Sequence, residues 1–164
     1  SISRKGSHLL SSALKDINIS NNYYNEIELV IFGAYKPKVD INFGLNTHYL
    51  GTFSDEVSLA LLYSAVDVFV APSMQDNLPC TVMESLACGT PVVSFSIGGI
   101  PDLIQHQLNG YLAVPFETGD LKRGIFWILE NSERYKKICN QARKIMENNF
   151  SLEKQAKSYI SLLT

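Results

Sequence analysis

Val68-Phe69-Val70 and Pro91–Phe95 are short runs with no polar/apolar alternation, the first stopped by Pro72 and the second opened by Pro91. A strand with one wet face alternates, so unbroken β-prone runs mark strands covered on both sides. The first strand is read from Val66 to Ala71, and the helical pattern Thr81–Ala87 between the two ends at Gly89, a C′ glycine with a proline just beyond. Strand, helix and strand in that order make a parallel unit.

The same alternation extends in both directions. Upstream, Leu9, Leu10, Ala13, Leu14 and Ile17 recur at helical spacing, and strands are expected at Ile27–Phe32 and Asn46–Leu50. Gly33 closes the first of these strands, and the Lys36-Pro37-Lys38 segment after it does not easily continue one. Ser54, Asp55 and Glu56 supply a cap and first-turn acids for a helix through Tyr63, with Val57, Leu61 and Leu62 as its apolar face. Downstream, a strand at Tyr111–Val114 precedes a helix carrying Leu121, Ile125, Ile128 and Leu129, a charged helix from Ser132, and a last helical pattern through Leu152, Ala156, Tyr159 and Leu163. The class is α/β, a Rossmann-like, doubly wound and mostly parallel sheet with helices on both faces. Such a domain opens with a strand, and here only Ser1-Ile2-Ser3 precedes the first helix, so the first strand is expected to lie upstream of residue 1.

Composition narrows the function. At 164 residues the chain is one domain, and 46% hydrophobic against 18% charged residues is globular. Fourteen basic and sixteen acidic residues give a net charge of −2, so no global positive field holds nucleic acid. Cys80, Cys88 and Cys139 form neither a C-x-x-C pair nor a disulfide framework, which fits a reducing cytosol. Cys80 and Cys88 are read as inert packing residues. His8, His48 and His106 have no metal-ligand spacing, and no metal or cofactor is expected.

Ligands of such sheets bind beyond the carboxyl ends of the strands. Neither G-x-G-x-x-G nor a P-loop is present. The strand ending at Ala71 leads instead into a loop carboxylate, Asp76, then a helix start around Cys80 and Thr81, then a helical carboxylate, Glu84. A helix start offers unpaired N–H groups and a positive dipole end to an anion. Glu84 falls on the side of Cys80 and Thr81 by helical spacing, where it can accept hydrogen bonds from sugar hydroxyls. Thr81 serves equally as helix cap or phosphate contact, and Lys5 offers a second phosphate partner. The set suits a nucleotide sugar.

These segments resemble family 4 glycosyltransferases, the retaining enzymes of GT-B fold. Asp76 to Glu84 is similar to their E-x7-E motif, and Tyr63-Ser64-Ala65-Val66-Asp67-Val68-Phe69 to Y-x-x-A-D-V-F. Ser85 to Val93 resembles A-M-A-C-G-x-P-V-V, Gly98-Gly99-Ile100-Pro101-Asp102 resembles G-G-x-P-E, Asn109-Gly110-Tyr111-Leu112 resembles N-G-x-L, and Lys5-Gly6 the K-G turn.

The resemblance implies a donor-binding domain over residues 1–164, the carboxyl-terminal half of such an enzyme, with the acceptor domain upstream. It implies Glu84 on the ribose hydroxyls, Asp76 on the transferred sugar, and the backbone of Asn77, Leu78, Pro79, Cys80 and Thr81 with Lys5 on the diphosphate. Asp76 is one methylene shorter than the usual Glu, and Pro79 stands where Gly is common and has no N–H to give. The implied activity is hexosyl transfer from a nucleotide-diphosphate sugar to an acceptor hydroxyl, in glycan or polysaccharide assembly. The rival readings are a nucleotide-binding module without turnover and an epimerase or phosphorylase of the same architecture. Lys136, Lys137, Arg143 and Lys144, with Arg134, read as a solvated face, with peripheral membrane contact as the sharper alternative. Trp127 reads as core, and Tyr49 or Phe53 as a border of the base slot.

Overall fold

The computed structural model describes residues 2–15, 27–37 and 41–163. Ile17, Lys38 and Ser1 lie outside the described residues. A 3-10 turn at Ile2–Lys5 leads into α1 (Ser7–Lys15), and then come β1 (Glu28–Ile31), β2 (Asn46–Tyr49), α2 (Glu56–Ala65), β3 (Phe69–Ala71), α3 (Cys80–Ala87) and β4 (Val92–Phe95). A short helix, α4 (Ile100–Leu103), precedes β5 (Gly110–Ala113), α5 (Thr118–Leu129), α6 (Ser132–Phe150) and α7 (Leu152–Leu163).

Among the described residues the named strands all pair in parallel, and one isolated antiparallel bridge joins Ala34 to Gly51. β1 pairs with β2, with Glu28 opposite Asn46, and β4 lies between β3 and β5, with Val92 opposite both Phe69 and Gly110. The two ladders are separate sheets, and no strand pairing among the described residues joins β1 to β3. They nevertheless share one core, since Leu29 and Ile31 of β1 and Val68 and Val70 beside and within β3 all pack against the cluster built on Val93 and Phe95.

β4 shows why the chain is doubly wound. All four of its residues are buried, and alternate residues face opposite layers. Val93 and Phe95 belong to a buried cluster with Leu10 and Leu14 of α1 and Leu121, Ile125 and Ile128 of α5. Val92 belongs to a buried cluster with Val82 and Leu86 of α3, Ile100 and Leu103 of α4, and Ala142 and Met146 of α6. Ser94, the polar member, donates its hydroxyl to Ala71 O at 2.7 Å and so ties β4 to the end of β3. Burying each Leu or Phe of these layers contributes about 1.5–3 kcal/mol.

The helix boundaries are set by their caps. Asp55 caps α2 by accepting from Ser58 N–H at 2.7 Å, which holds its carboxyl below the usual carboxylate range. Gly89 ends α3 at φ +82°, with Thr90 N–H to Ser85 O and Gly89 N–H to Leu86 O, both 3.0 Å. Asn131 caps α6 through Arg134 N–H at 2.8 Å.

Two expectations are corrected. The apolar face of α2 is not the one expected: Val57 and Leu61 are 70% and 66% exposed, Leu62 is half-buried, and the buried residue is Tyr63. α2 is apolar nearly all round, so its sequence does not say which stripe turns inward. The strand expected at Val66–Ala71 is only Phe69–Ala71, because Val66 is the extended C-cap of α2 and pairing begins where Phe69 N–H reaches Pro91 O at 3.0 Å.

Candidate donor site

The site is built where β3 ends and α3 begins. Pro79 occupies the N-cap of α3 with no side-chain cap, and its carbonyl accepts from Val82 and Met83 N–H at 3.1 and 3.3 Å. Thr81, read as a cap or a phosphate contact, is therefore not the cap but lies inside the first turn. The N–H groups of Cys80 and Thr81 have no partner among the described residues, and no acidic residue stands in the first turn. This is an uncapped, positive helix end open to an anion. Pro79 withholds the one N–H that another residue would have added at the cap.

Two ionisable side chains meet beside this end. Lys5 Nζ lies 2.9 Å from Asp76 Oδ2, with the lysine 55% and the aspartate 17% exposed. Each is held by backbone. The carbonyl of Arg4 accepts from Met74 N–H at 2.9 Å, tying the segment that carries Lys5 to the loop that carries Asp76. Gly6, at φ +70°, lies so close to Pro72 O that a Cβ there would collide with it.

One turn into α3, Glu84 is exposed, and its Oε2 accepts the Tyr63 hydroxyl at 2.9 Å. Tyr63 is 1% exposed and packs edge-on against Phe32 and Phe69 at 5.4 and 5.5 Å between ring centroids. Its own carbonyl accepts the Thr90 hydroxyl at 2.6 Å. The structure thus places Lys5, Asp76, Asn77, Leu78, Pro79, Cys80 and Thr81 at and after the carboxyl end of β3, with Glu84 one turn into α3.

The reading from sequence assigns no role to Gly98 and Gly99. Gly99 N–H donates to Asn77 O at 2.7 Å, and a Cβ on either glycine would collide with the carbonyl of Asp76 or Asn77. The pair is the floor on which the Asp76–Asn77 loop rests. The signal is the adjacent glycines themselves, which mark a close backbone approach. Tyr63 and Glu84 are each legible in the sequence as part of a motif, but their hydrogen bond is not.

Elsewhere the expectations divide. Cys80, read as packing, is instead exposed at the helix start. Cys88 and Cys139 are partly buried, and burial pushes both thiols up, away from reactivity. Trp127 packs against the core and carries Arg134 over its ring at 4.5 Å. Arg143 pairs with Glu147 at 2.8 Å, and Lys136 lies 3.4 Å from Glu133. Tyr49 lines a cavity of about 420 Å³ with Lys36, Ile41 and Phe43, between the segments that flank β1 and β2. No group of three His, Cys, Asp or Glu among the described residues is placed to hold a metal ion. No helix among them is long and apolar enough to cross a membrane.

A doubly wound parallel domain with a bare helix end between a lysine and two carboxylates has the means to hold an anion at the sheet's carboxyl edge. Residues 2–145 match the family of glycosyl transferases group 1, and the chain belongs to that family. An uncharacterized glycosyltransferase of Methanocaldococcus jannaschii is 31% identical over 70% of the chain and 29% of its own length. Spore coat protein SA of Bacillus subtilis is 28% identical over 96% of the chain and 45% of its own length. Among solved structures, Anabaena HepE in complex with UDP superposes with a TM-score of 0.77 at 24% identity, over 99% of this chain and 46% of that one. The fold is the Rossmann-like domain of GT-B glycosyltransferases. The chain spans less than half the length of each of these relatives.

Proposed function

We propose that this domain binds the donor of a retaining hexosyl transfer, a nucleotide-diphosphate sugar, whose hexosyl group passes to an acceptor hydroxyl during glycan or polysaccharide assembly. The observation that carries the reading is the bare start of α3 set between the Lys5–Asp76 pair and Glu84. The diphosphate lies on the N–H groups of Cys80 and Thr81 and draws Lys5 to it. Glu84, one turn further in, accepts the ribose hydroxyls. Asp76 is left on the sugar side of the phosphates.

As the bond to the anomeric carbon breaks, negative charge grows on the leaving diphosphate. Oriented dipoles and a cation already aimed at that position stabilise it without reorganising. The reading assigns this charge to Lys5 and the helix end rather than to a metal. The fold neighbour HepE, crystallised with UDP, supports a nucleotide partner. In this reading the acceptor is held by a further domain, the work is cytoplasmic, and any contact with the inner face of a membrane draws on Lys137 and Lys144 of α6.

The test is calorimetric titration of UDP, GDP, ADP and their hexose conjugates against the chain and its Glu84→Ala variant. One nucleotide is expected to bind, and Glu84→Ala to weaken it about ten- to a hundredfold, the range for losing hydrogen bonds to a charged group. Glu84 is exposed but is the partner of the buried Tyr63 hydroxyl, so a thermal melt of the variant accompanies the titration and separates lost affinity from lost fold. Unchanged affinity in Glu84→Ala refutes the assignment.

A further inference from the structure

Glu84 is a flexible side chain on the surface of a helix, and a flexible carboxylate loses entropy when a ligand orders it. Here one of its oxygens is already engaged. The Tyr63 hydroxyl donates to Oε2 at 2.9 Å from a ring that cannot move freely, since it is buried between Phe32 and Phe69 and its backbone carbonyl is pinned by Thr90 Oγ1. Thr90 is fixed in turn, because its own carbonyl accepts the Ser85 hydroxyl at 3.1 Å from the same helix that carries Glu84. A closed circuit therefore runs from α2 to the end of α3 and back through α3 to Glu84.

We propose that Tyr63 is a positioning residue for nucleotide recognition, holding Glu84 Oε2 so that the remaining acceptor capacity of the carboxylate faces the ribose hydroxyls. The inference rests on the reading of Glu84 given above. A carboxylate has two oxygens with about four lone-pair sites. Tyr63 takes one site on Oε2 and fixes the carboxylate plane, leaving Oε1 to accept from the ribose. Burial first, and then the hydrogen bond and charge of Glu84, push the Tyr63 phenol well above its ordinary value, so the hydroxyl stays a donor throughout the working pH range. The tyrosine touches no substrate in this arrangement and acts only through Glu84.

The experiment compares Tyr63→Phe with the unaltered chain, using whichever of UDP, GDP and ADP binds most tightly and its 2′,3′-dideoxy form. Phenylalanine keeps the ring and its packing and removes only the donor. The expected result is a loss of about three- to tenfold for the ribonucleotide, none for the dideoxynucleotide, and no further loss when Tyr63→Phe is added to Glu84→Ala. An equal loss for both nucleotides would mean a structural role alone and overturns the proposal, as does no loss for either.

Glu84→Asp approaches the same link from the exposed side. It keeps the charge and is too short to hold the tyrosine and the ribose together, so it must lose ribonucleotide affinity; full affinity in it overturns the proposal even where Tyr63→Phe fails to fold. If Glu84→Ala itself binds as the unaltered chain does, the ribose reading has failed and this inference with it. If Glu84→Ala loses affinity and Tyr63→Phe does not, the ribose reading stands and the positioning role is wrong.

Discussion

Lys5 Nζ sits 2.9 Å from Asp76 Oδ2, a contact between residues 71 positions apart in the chain. The lysine proposed to meet the diphosphate is thus already paired with the carboxylate proposed to meet the sugar. An incoming diphosphate competes with Asp76 for Lys5, and displacing the pair leaves Asp76 free to turn to the sugar. Exposed pairs of this kind contribute about 0.2–1 kcal/mol, so the competition is mild. Asp76→Asn is expected to raise affinity for the nucleoside diphosphate by about two- to fivefold while lowering the gain that the attached hexose adds. Lys5→Met is expected to weaken both ligands and to flatten the salt dependence of binding. Titrations of diphosphate and nucleotide sugar at two salt concentrations check this; weaker diphosphate binding in Asp76→Asn refutes the competition.

The Asp76–Asn77 loop depends on a floor of glycine. Gly99→Ala would drive its methyl into Asn77 O and break the Gly99 N–H bond that holds that carbonyl at 2.7 Å. The expected cost is about 1–3 kcal/mol of stability, with nucleotide-sugar affinity falling further than the loss of folded protein explains. Gly119→Ala is the control: no atom lies within 4 Å of its added methyl, and it sits in α5, where alanine is the better helix former. Urea denaturation and ligand titration of the two variants side by side decide the matter, and a Gly99→Ala protein indistinguishable from Gly119→Ala would show that the loop needs no such floor.

The parts legible in the sequence are those governed by local rules. Val92–Phe95 reads as a buried strand because no polar face interrupts it, and Gly89 reads as a helix end because only a positive φ satisfies the carbonyls there. The helix end at Cys80 and the two carboxylates around it are legible for the same reason, as is the cap at Asp55. The hidden parts depend on distant pairs. No spacing rule connects Tyr63 to Glu84 or Lys5 to Asp76, since each pair meets only after the sheet has assembled. The inward stripe of α2 escapes the sequence because apolar residues lie on nearly every side of the helix: Val57 and Leu61 turn to solvent, Leu62 is half-buried and Tyr63 is buried. The short α4 reads as a turn, its four residues being too few for a helical period.

A second glycine, Gly124, sets how closely α5 approaches the sheet. Its added methyl would press on the Tyr111 ring and come within 2.9 Å of Val93 Cγ1. Tyr111 cannot yield, because its hydroxyl donates to Asp120 Oδ1 at 3.0 Å, and Asp120 Oδ2 accepts from Val114 N–H at 2.8 Å. Alanine favours a helix by about 1 kcal/mol over glycine, and overpacking of a close-packed core costs about 1–3 kcal/mol, so the clash prevails. Gly124→Ala is expected to lower the urea midpoint with an unchanged slope. A raised midpoint would show that α5 can lift away without cost.

Two buried tyrosines and one half-buried one set an alkaline limit on stability. Burial first, with hydrogen bonding second, raises the phenols of Tyr63, Tyr111 and Tyr135 above the ordinary value of about 10. Above that pH the unfolded chain has released phenol protons that the folded chain still holds, so each step upward favours unfolding. The contribution of these groups is therefore fully present below about pH 10 and is lost as pH rises through their folded values. The Cys88 and Cys139 thiols, raised by burial from about 9, add the same sign of effect slightly earlier. Thermal midpoints measured from about pH 8 to 11 are expected to hold and then fall. Tyr63→Phe removes one of the titrating groups and shallows the fall without altering the plateau's position in pH; a decline identical to that of the unaltered chain would show that Tyr63 releases its proton as readily in the folded state as in the unfolded one.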